Sequence, residues 1–330
     1  MNHIMAIYDQ EENYAIQFIN YLKMRNDFPF EVRKFSSIEK MQQFNRQQKI
    51  DVALIGEKSL ADADSMLDVQ IIILSETGVI NTEGLKSVYK YQNCENIIKK
   101  ILILVSEGNV TQGVISRQND LKIISFYTPV KRTYQTSFAL IMGQMLSKKY
   151  RTLYLNMEGF SGLSHLLNKK FTKDISDLLY YLQNGKKGLQ YLMGSMIEKM
   201  NGLDILPPMM YQMDLISITG NEWINLLKEI ERYSDYEYLL LDLSDSVQGL
   251  YDILRQSSVI YCMLKKDEYA VAKIEQYESM LNQCSYEDLL LKTKKHILPD
   301  FKYAQITIDK LITGELADYV RNIIQEEFYE

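Results

Sequence analysis

Along the first hundred residues, short apolar runs alternate with stretches of helical spacing. Residues 4–8 are a continuous apolar run, and Ala15, Phe18, Ile19 and Leu22 then recur three and four positions apart. A buried strand followed by an amphipathic helix is predicted. Phe30 and Val32 alternate as in a second strand, and Ile38, Met41 and Phe44 mark a polar-rich helix. Residues 52–55 and 70–74 read as buried strands. A shorter strand at 87–91 precedes a helix from Cys94 to about Leu104. Such repeated strand–helix alternation predicts a parallel sheet covered by helices.

The pattern breaks at 106–120, SEGNVTQGVISRQND, where two glycines stand among polar residues, and resumes beyond it. This stretch is expected to be a linker between domains at 1–105 and 121–330. A strand is predicted at 121–127, then a helix from about Thr136 with Phe138, Ile141, Met142, Met145 and Leu146 on one face. Further strands are expected at 152–156, 203–206, 238–242 and 258–264. A helix carries Trp223, Leu226, Leu227 and Ile230, and a terminal helix at 314–325 aligns Leu316, Tyr319, Val320, Ile323 and Ile324. No fixed-period repeat appears. The fold class expected is α/β, two tandem three-layer parallel-sheet domains.

Composition agrees and narrows the classes. The 330 residues are 46% hydrophobic and 24% charged, with 15 Gly and 5 Pro, as in a globular chain rather than a disordered one. A net charge of −6 gives no overall attraction to nucleic acid or anionic membrane. Cys94, Cys262 and Cys284 form no CxxC pair, and His3, His165 and His296 lie far from metal-ligand spacing. No signal-peptide pattern opens the chain, and its apolar runs are too short to span a bilayer. A cytoplasmic location is expected.

The strand order of residues 1–104 resembles a response-regulator receiver domain. Receivers hold magnesium with an acidic pair after the first strand and phosphorylate an Asp ending the third. Here Asp9 matches one acid, while Gln10 replaces the other. Ser75 and Lys90 stand where the resemblance places the switch hydroxyl and the lysine. The acceptor position is Gly56, which cannot take a phosphoryl group, and Glu57 is expected to face the other way. The resemblance implies a pseudo-receiver without a phosphoacceptor, a docking or dimerising module. The plainer alternative is that Asp9, Ser75 and Lys90 are ordinary strand-end polar residues.

In the second half, a strand, a loop and a helix give the topology of a phosphate-binding loop. The loop reads Thr128-Pro129-Val130-Lys131-Arg132-Thr133-Tyr134-Gln135-Thr136-Ser137. Tyr236-Glu237-Tyr238-Leu239-Leu240-Leu241-Asp242 has the form of a Walker B segment. The strand Leu153-Tyr154-Leu155-Asn156-Met157-Glu158 and the run Leu203-Asp204-Ile205-Leu206-Pro207-Pro208 follow in the order found in ParA/MinD-type ATPases. Residues 121–330 therefore resemble that superfamily. With a receiver-like domain in front, the whole chain resembles the TadZ/CpaE-type assembly proteins of pilus and secretion machines. The resemblance implies a homodimer, partners among pilus or secretion assembly proteins, and recruitment to a pole or membrane-bound complex. No nucleic acid and no direct membrane insertion are expected.

Departures from the family pattern bear on chemistry. The loop glycines fall on Lys131, Arg132 and Tyr134, the signature lysine on Val130, and the lysine before the magnesium-binding Thr on Gln135. Thr136, with Ser137, and Asp242 keep the expected types. Gln135 carries no charge to offset that on a transferred phosphoryl group, a loss of about 3–4 kcal/mol of transition-state stabilisation. Bulky residues at glycine positions also argue against a tightly wrapped loop. The expectation is a protein that is non-catalytic or nearly so, with no catalytic residues and no required cofactor. The alternative is a deviant ATPase with a nucleotide-dependent dimer cycle, holding ATP through Lys131, Arg132, Gln135, Thr136, Ser137 and Asp242, with Thr136 and Asp242 on magnesium. A plain basic turn capped by Thr133 or Thr136 is the third reading of the loop.

Among other features, 24 tyrosines, Tyr180 and Tyr181 among them, are expected mostly half-buried in the packing. The terminal helix ends Gln-Glu-Glu-Phe-Tyr-Glu, too acidic for anionic lipid, so its apolar face is expected to pack on the domain.

Overall fold

The structure is a computed structural model that describes residues 3–25, 28–59, 69–77, 86–107, 121–184, 188–298 and 311–328. Its contacts divide the chain into two units, residues 1–114 with 183–195, and residues 115–182 with 196–330.

In the first unit, β1 (Ile4–Tyr8), β2 (Glu31–Lys34), β3 (Val52–Gly56), β4 (Gln70–Ser75) and β5 (Lys86–Tyr89) pair in the order β2-β1-β3-β4-β5, all parallel. Alternate residues of the central strands feed two different layers. Met5, Ile7, Leu54 and Leu74 pack with Phe18 and Leu22 of helix Glu12–Lys23 and with Ile97 and Ile101 of helix Cys94–Ser106. Ala6, Ala53, Ile55 and Ile73 pack with Ile38 and Met41 of helix Ile38–Gln47. A sheet buried on both faces explains why β3 reads as one apolar run. Side-chain caps start two of these helices: Ser37 accepts from Lys40 N at 3.3 Å and Asn93 from Glu95 N at 2.9 Å. The segment 183–195 supplies Tyr191, whose ring stacks on Phe30 at 5.2 Å.

The second unit holds β6 (Lys122–Phe126), β7 (Thr152–Met157), β8 (Glu198–Met200), β9 (Leu203–Leu206), β10 (Tyr238–Leu243), β11 (Val259–Leu264) and β12 (Thr293–Ile297). Their order is β12-β11-β6-β10-β7-β9-β8, parallel except for β8 against β9. Helix Gln135–Leu146 is apolar nearly all round and buried from Phe138 to Leu146. Such a helix belongs in a core. It lies with Ile124, Tyr154 and Leu240 of the sheet and with Leu316, Val320 and Ile323 of helix Glu315–Phe328 in one apolar cluster. The terminal helix thus packs on its own domain. At Gly143 a Cβ would lie 2.8 Å from Leu203 Cδ2 and 2.9 Å from Leu240 Cδ1, so any larger residue would have to displace these packed side chains. Leu153, Leu155, Leu239 and Leu241, of the opposite parity, are also fully buried, as are Trp223 and Ile230 of helix Gly220–Tyr233. That helix begins with a capping box, Thr219 N donating to Glu222 Oε2 at 2.7 Å and Glu222 N to Thr219 Oγ1 at 3.4 Å.

Both units are α/β with parallel sheets, as the hydrophobic pattern predicts. The edge strands β8 and β12 and helix Glu268–Gln283 escape that pattern, because their residues are largely polar and half exposed. Residues 108–120 of the expected linker lie outside the described residues; Ser106 still belongs to helix Cys94–Ser106. Among the described residues, no helix is long and apolar enough to cross a membrane.

Candidate functional site

Two strand-end clusters carry the chemistry predicted from sequence. In the first unit, the C-terminal ends of β1, β3, β4 and β5 bring Asp9, Gly56, Ser75 and Lys90 together. Lys90 Nζ is fully buried, 3.2 Å from Asp9 Oδ2, 3.0 Å from Glu76 Oε1 and 3.5 Å from Glu11 Oε2. Tyr14 and Tyr91 place ring faces 5.2 Å from the ammonium. Burial by itself would lower the Lys90 pKa. The hydrogen bond to Glu76 and the charge of Asp9 outweigh it and hold the ammonium above its ordinary value.

Gly56 faces this cluster. A Cβ there would lie 2.8 Å from Asp9 Cγ, so the acidic side chain stands where an acceptor would begin. Glu57 does not face away as expected from strand parity. A 3-10 turn at Glu57–Ser59 follows β3 at once and rotates its carboxylate back over the sheet end. There it accepts from Ser75 Oγ at 3.1 Å and from Glu76 N at 2.5 Å, and these hydrogen bonds hold it below the usual carboxylate range.

In the second unit, the loop between β6 and helix Gln135–Leu146 curls despite its side chains. Arg132 and Tyr134 both take left-handed backbone, φ 58° and 59°. This corrects the expectation from sequence: the loop has the curvature for which glycine is usually used, in residues that resist it by about 1–2 kcal/mol each. Lys131 turns outward to Asp245, Nζ to Oδ2 2.5 Å, and Tyr127 donates to the same carboxylate at 2.7 Å.

Gln135 points inward. Its Nε2 donates to Asp242 Oδ1 at 2.6 Å and to the Leu243 carbonyl at 2.9 Å. Asp242, fully buried at the end of β10, also accepts from Tyr154 Oη at 2.8 Å and Asn156 Nδ2 at 3.1 Å, and the Thr136 side chain hydrogen-bonds to it. Burial pushes its carboxyl above the ordinary range, and these hydrogen bonds oppose the shift. Glu158, just after β7, is pushed up to about 7, first by burial and then by the charge of Asp242, with Lys131 acting the other way. Tyr154 and Asn156 were not singled out from sequence. Their positions on β7, two residues apart and beside β10, were the available signal.

Of the predicted residues, Gln135, Thr136 and Asp242 converge, while Lys131 is drawn to Asp245. Lys131, Arg132, Gln135, Thr136 and Ser137 line a small cavity of about 190 Å³, with Asp242 buried behind it. Ligand pockets usually span about 300–1,000 Å³. With both Asp242 oxygens bonded to protein donors and Lys131 paired with Asp245, these residues as arranged do not fit a magnesium-bound triphosphate.

No protein-family model matches this chain, and no curated protein does. Solved structures similar to it include a ParA family ATPase from Chlorobium tepidum, at 15% identity over 59% of this chain and 81% of that one, TM-score 0.47. A plasmid partition protein from Borrelia burgdorferi is similar at 16% identity over 63% and 87%, TM-score 0.43. The MinC:MinD cell division complex of Aquifex aeolicus is similar at 14% over 58% and 76%, TM-score 0.42.

Proposed function

We propose that this chain is a non-catalytic or barely catalytic ParA/MinD-like assembly and localisation protein that works through dimerisation and protein contacts. On this reading it serves a pilus or secretion apparatus from the cytoplasm, recruited to a pole or membrane-bound complex. One observation carries the reading. Gln135, at the place of the phosphate-loop lysine, commits its amide to Asp242 and Leu243 and brings no ammonium to that position. The receiver-like unit joins in as a docking module, since Gly56 removes phosphotransfer and the Lys90 ammonium already occupies the acidic cluster.

A second reading, a deviant ATP-binding ATPase, draws on the left-handed backbone at Arg132 and Tyr134, which keeps the loop curled. It draws also on Thr133 Oγ1, buried with no hydrogen-bond partner among the described residues. Calorimetric titration of magnesium-ATP into the full chain separates the two. Absence of saturable heat at millimolar nucleotide supports the scaffold reading. Saturable binding that weakens in Arg132→Ala supports the second, and turnover of the bound ATP would then remove the first.

A further inference from the structure

The second unit carries a larger groove away from the degenerate loop. Its volume is about 810 Å³, and it is lined by residues 159–162, 164–165 and 168–174, with Asp177 and residues 208–210. Phe160, 82% exposed, and Met210, 59% exposed, offer large apolar side chains to solvent on its walls. Tyr211 and Met213, next along the chain from Met210, are also exposed.

The charges in the groove are unevenly satisfied. Asp174 accepts from Ser176 N at 2.8 Å and Met210 N at 3.1 Å, and Asp177 accepts from Asp174 N at 2.8 Å. Both carboxylates are thus hydrogen-bonded within the chain, though each keeps its charge. Lys169 pairs with Glu198 at 2.7 Å, but Lys170 and Lys173 have no carboxylate within ion-pair distance among the described residues. Lys170 and Lys173 are therefore the two lysines of the groove left to meet an incoming carboxylate, beside the exposed Phe160 and Met210.

We infer that this groove docks an acidic, amphipathic peptide segment of a partner protein. Its apolar residues would cover Phe160 and Met210, and its carboxylates would meet Lys170 and Lys173. Apolar anchors supply affinity in such grooves, and rim charges select the partner and its register. A second copy of this chain is a poorer occupant. A two-fold contact sets the same patch against itself and would bring Lys170 and Lys173 of both copies into one interface. The inference does not depend on whether the loop binds nucleotide.

The test is selection of random peptides displayed on phage against the full chain, followed by fluorescence anisotropy with the selected peptides as synthetic probes. Acidic sequences with aliphatic or aromatic residues at helical spacing are expected, binding more weakly as salt rises. Lys170→Glu with Lys173→Glu, and separately Phe160→Ser with Met210→Ser, should each weaken binding about tenfold or more. These side chains are at the surface, and unchanged melting temperatures would show that the variants fold. Failure to enrich peptides, enrichment of basic or neutral ones, or affinity indifferent to both variants overturns the inference. So does single-stranded DNA displacing the peptides through the same lysines. Concentration-dependent dimers abolished by Phe160→Ser would assign the face to a second copy and overturn it equally.

Discussion

The side-chain amide of Gln135 lies 2.6 Å from Asp242 Oδ1 and ties the start of helix Gln135–Leu146 to the end of β10. The two residues are 107 positions apart in the chain. A neutral donor now meets a buried carboxylate whose remaining partners are neutral as well.

Removing that donor should cost stability rather than activity. Gln135→Ala leaves Asp242 short of one hydrogen bond in a buried place, a loss of about 1–3 kcal/mol. Tyr154→Phe should fall in the same range, because it takes away another donor at 2.8 Å. Thermal and urea unfolding of the full chain measure both. No change in either variant would mean that the cluster is not closed as described.

Glu158 gives the second unit a pH dependence. Its folded pKa, about 7, lies above the ordinary carboxylate value, so folding favours the protonated acid. Its contribution is fully present below about pH 4.5 and is lost as pH rises through 7. Glu158→Gln keeps the neutral form at every pH. Its melting temperature should exceed that of the native chain at pH 8 and match it at pH 5. An equal gain at both values would point to another cause.

His296 works in the opposite sense. It packs between Phe138 and Tyr319, with Nδ1 3.1 Å from the Tyr319 hydroxyl, and burial holds its imidazole below the ordinary value. A histidine of lowered pKa contributes stability above its unfolded pKa, about 6.5, and loses it as pH falls further. Glu327 pulls the other way and Lys294 with the burial. Hydrogen exchange of helix Glu315–Phe328 should therefore accelerate from pH 7.5 to 5.5, after correction for intrinsic rates, and His296→Phe should flatten that change.

In the first unit, Gly56→Asp should not restore a phosphoacceptor. The new Cβ would lie 2.8 Å from Asp9 Cγ, and overpacking of this kind costs about 1–3 kcal/mol. A lowered melting temperature and no hydroxylamine-labile phosphate after incubation with acetyl phosphate are expected. Adding Asp9→Ala should recover part of the stability. Stable phosphate uptake by Gly56→Asp alone would refute this account of the cluster.

Much of the fold was legible because central strands of parallel sheets are continuous apolar runs. Val52–Gly56 and Tyr238–Leu243 announce themselves in that way. Helix Glu268–Gln283 did not, since only Ala270, Ile274, Tyr277 and Leu281 of its sixteen residues are buried. At the site, residue types were readable and directions were not. Strand parity sends Glu57 away from Ser75, but a single 3-10 turn reverses it. Nothing local to Gln135 reveals that its amide reaches Asp242, and nothing in Arg132 or Tyr134 reveals a left-handed backbone. The groove beside Phe160 has no motif at all; it exists only once residues 159–174 and 208–210 are folded together.

The tie between Gln135 and Asp242 bears on timing. A nucleotide-driven switch carries its own clock, because each round of hydrolysis ends one complex and permits the next. A pocket closed by its own side chains has no such reset. On the scaffold reading, every complex this chain forms ends only when its partner lets go. The lifetime of an assembly would then follow from dissociation rates and from how much of each protein the cell makes.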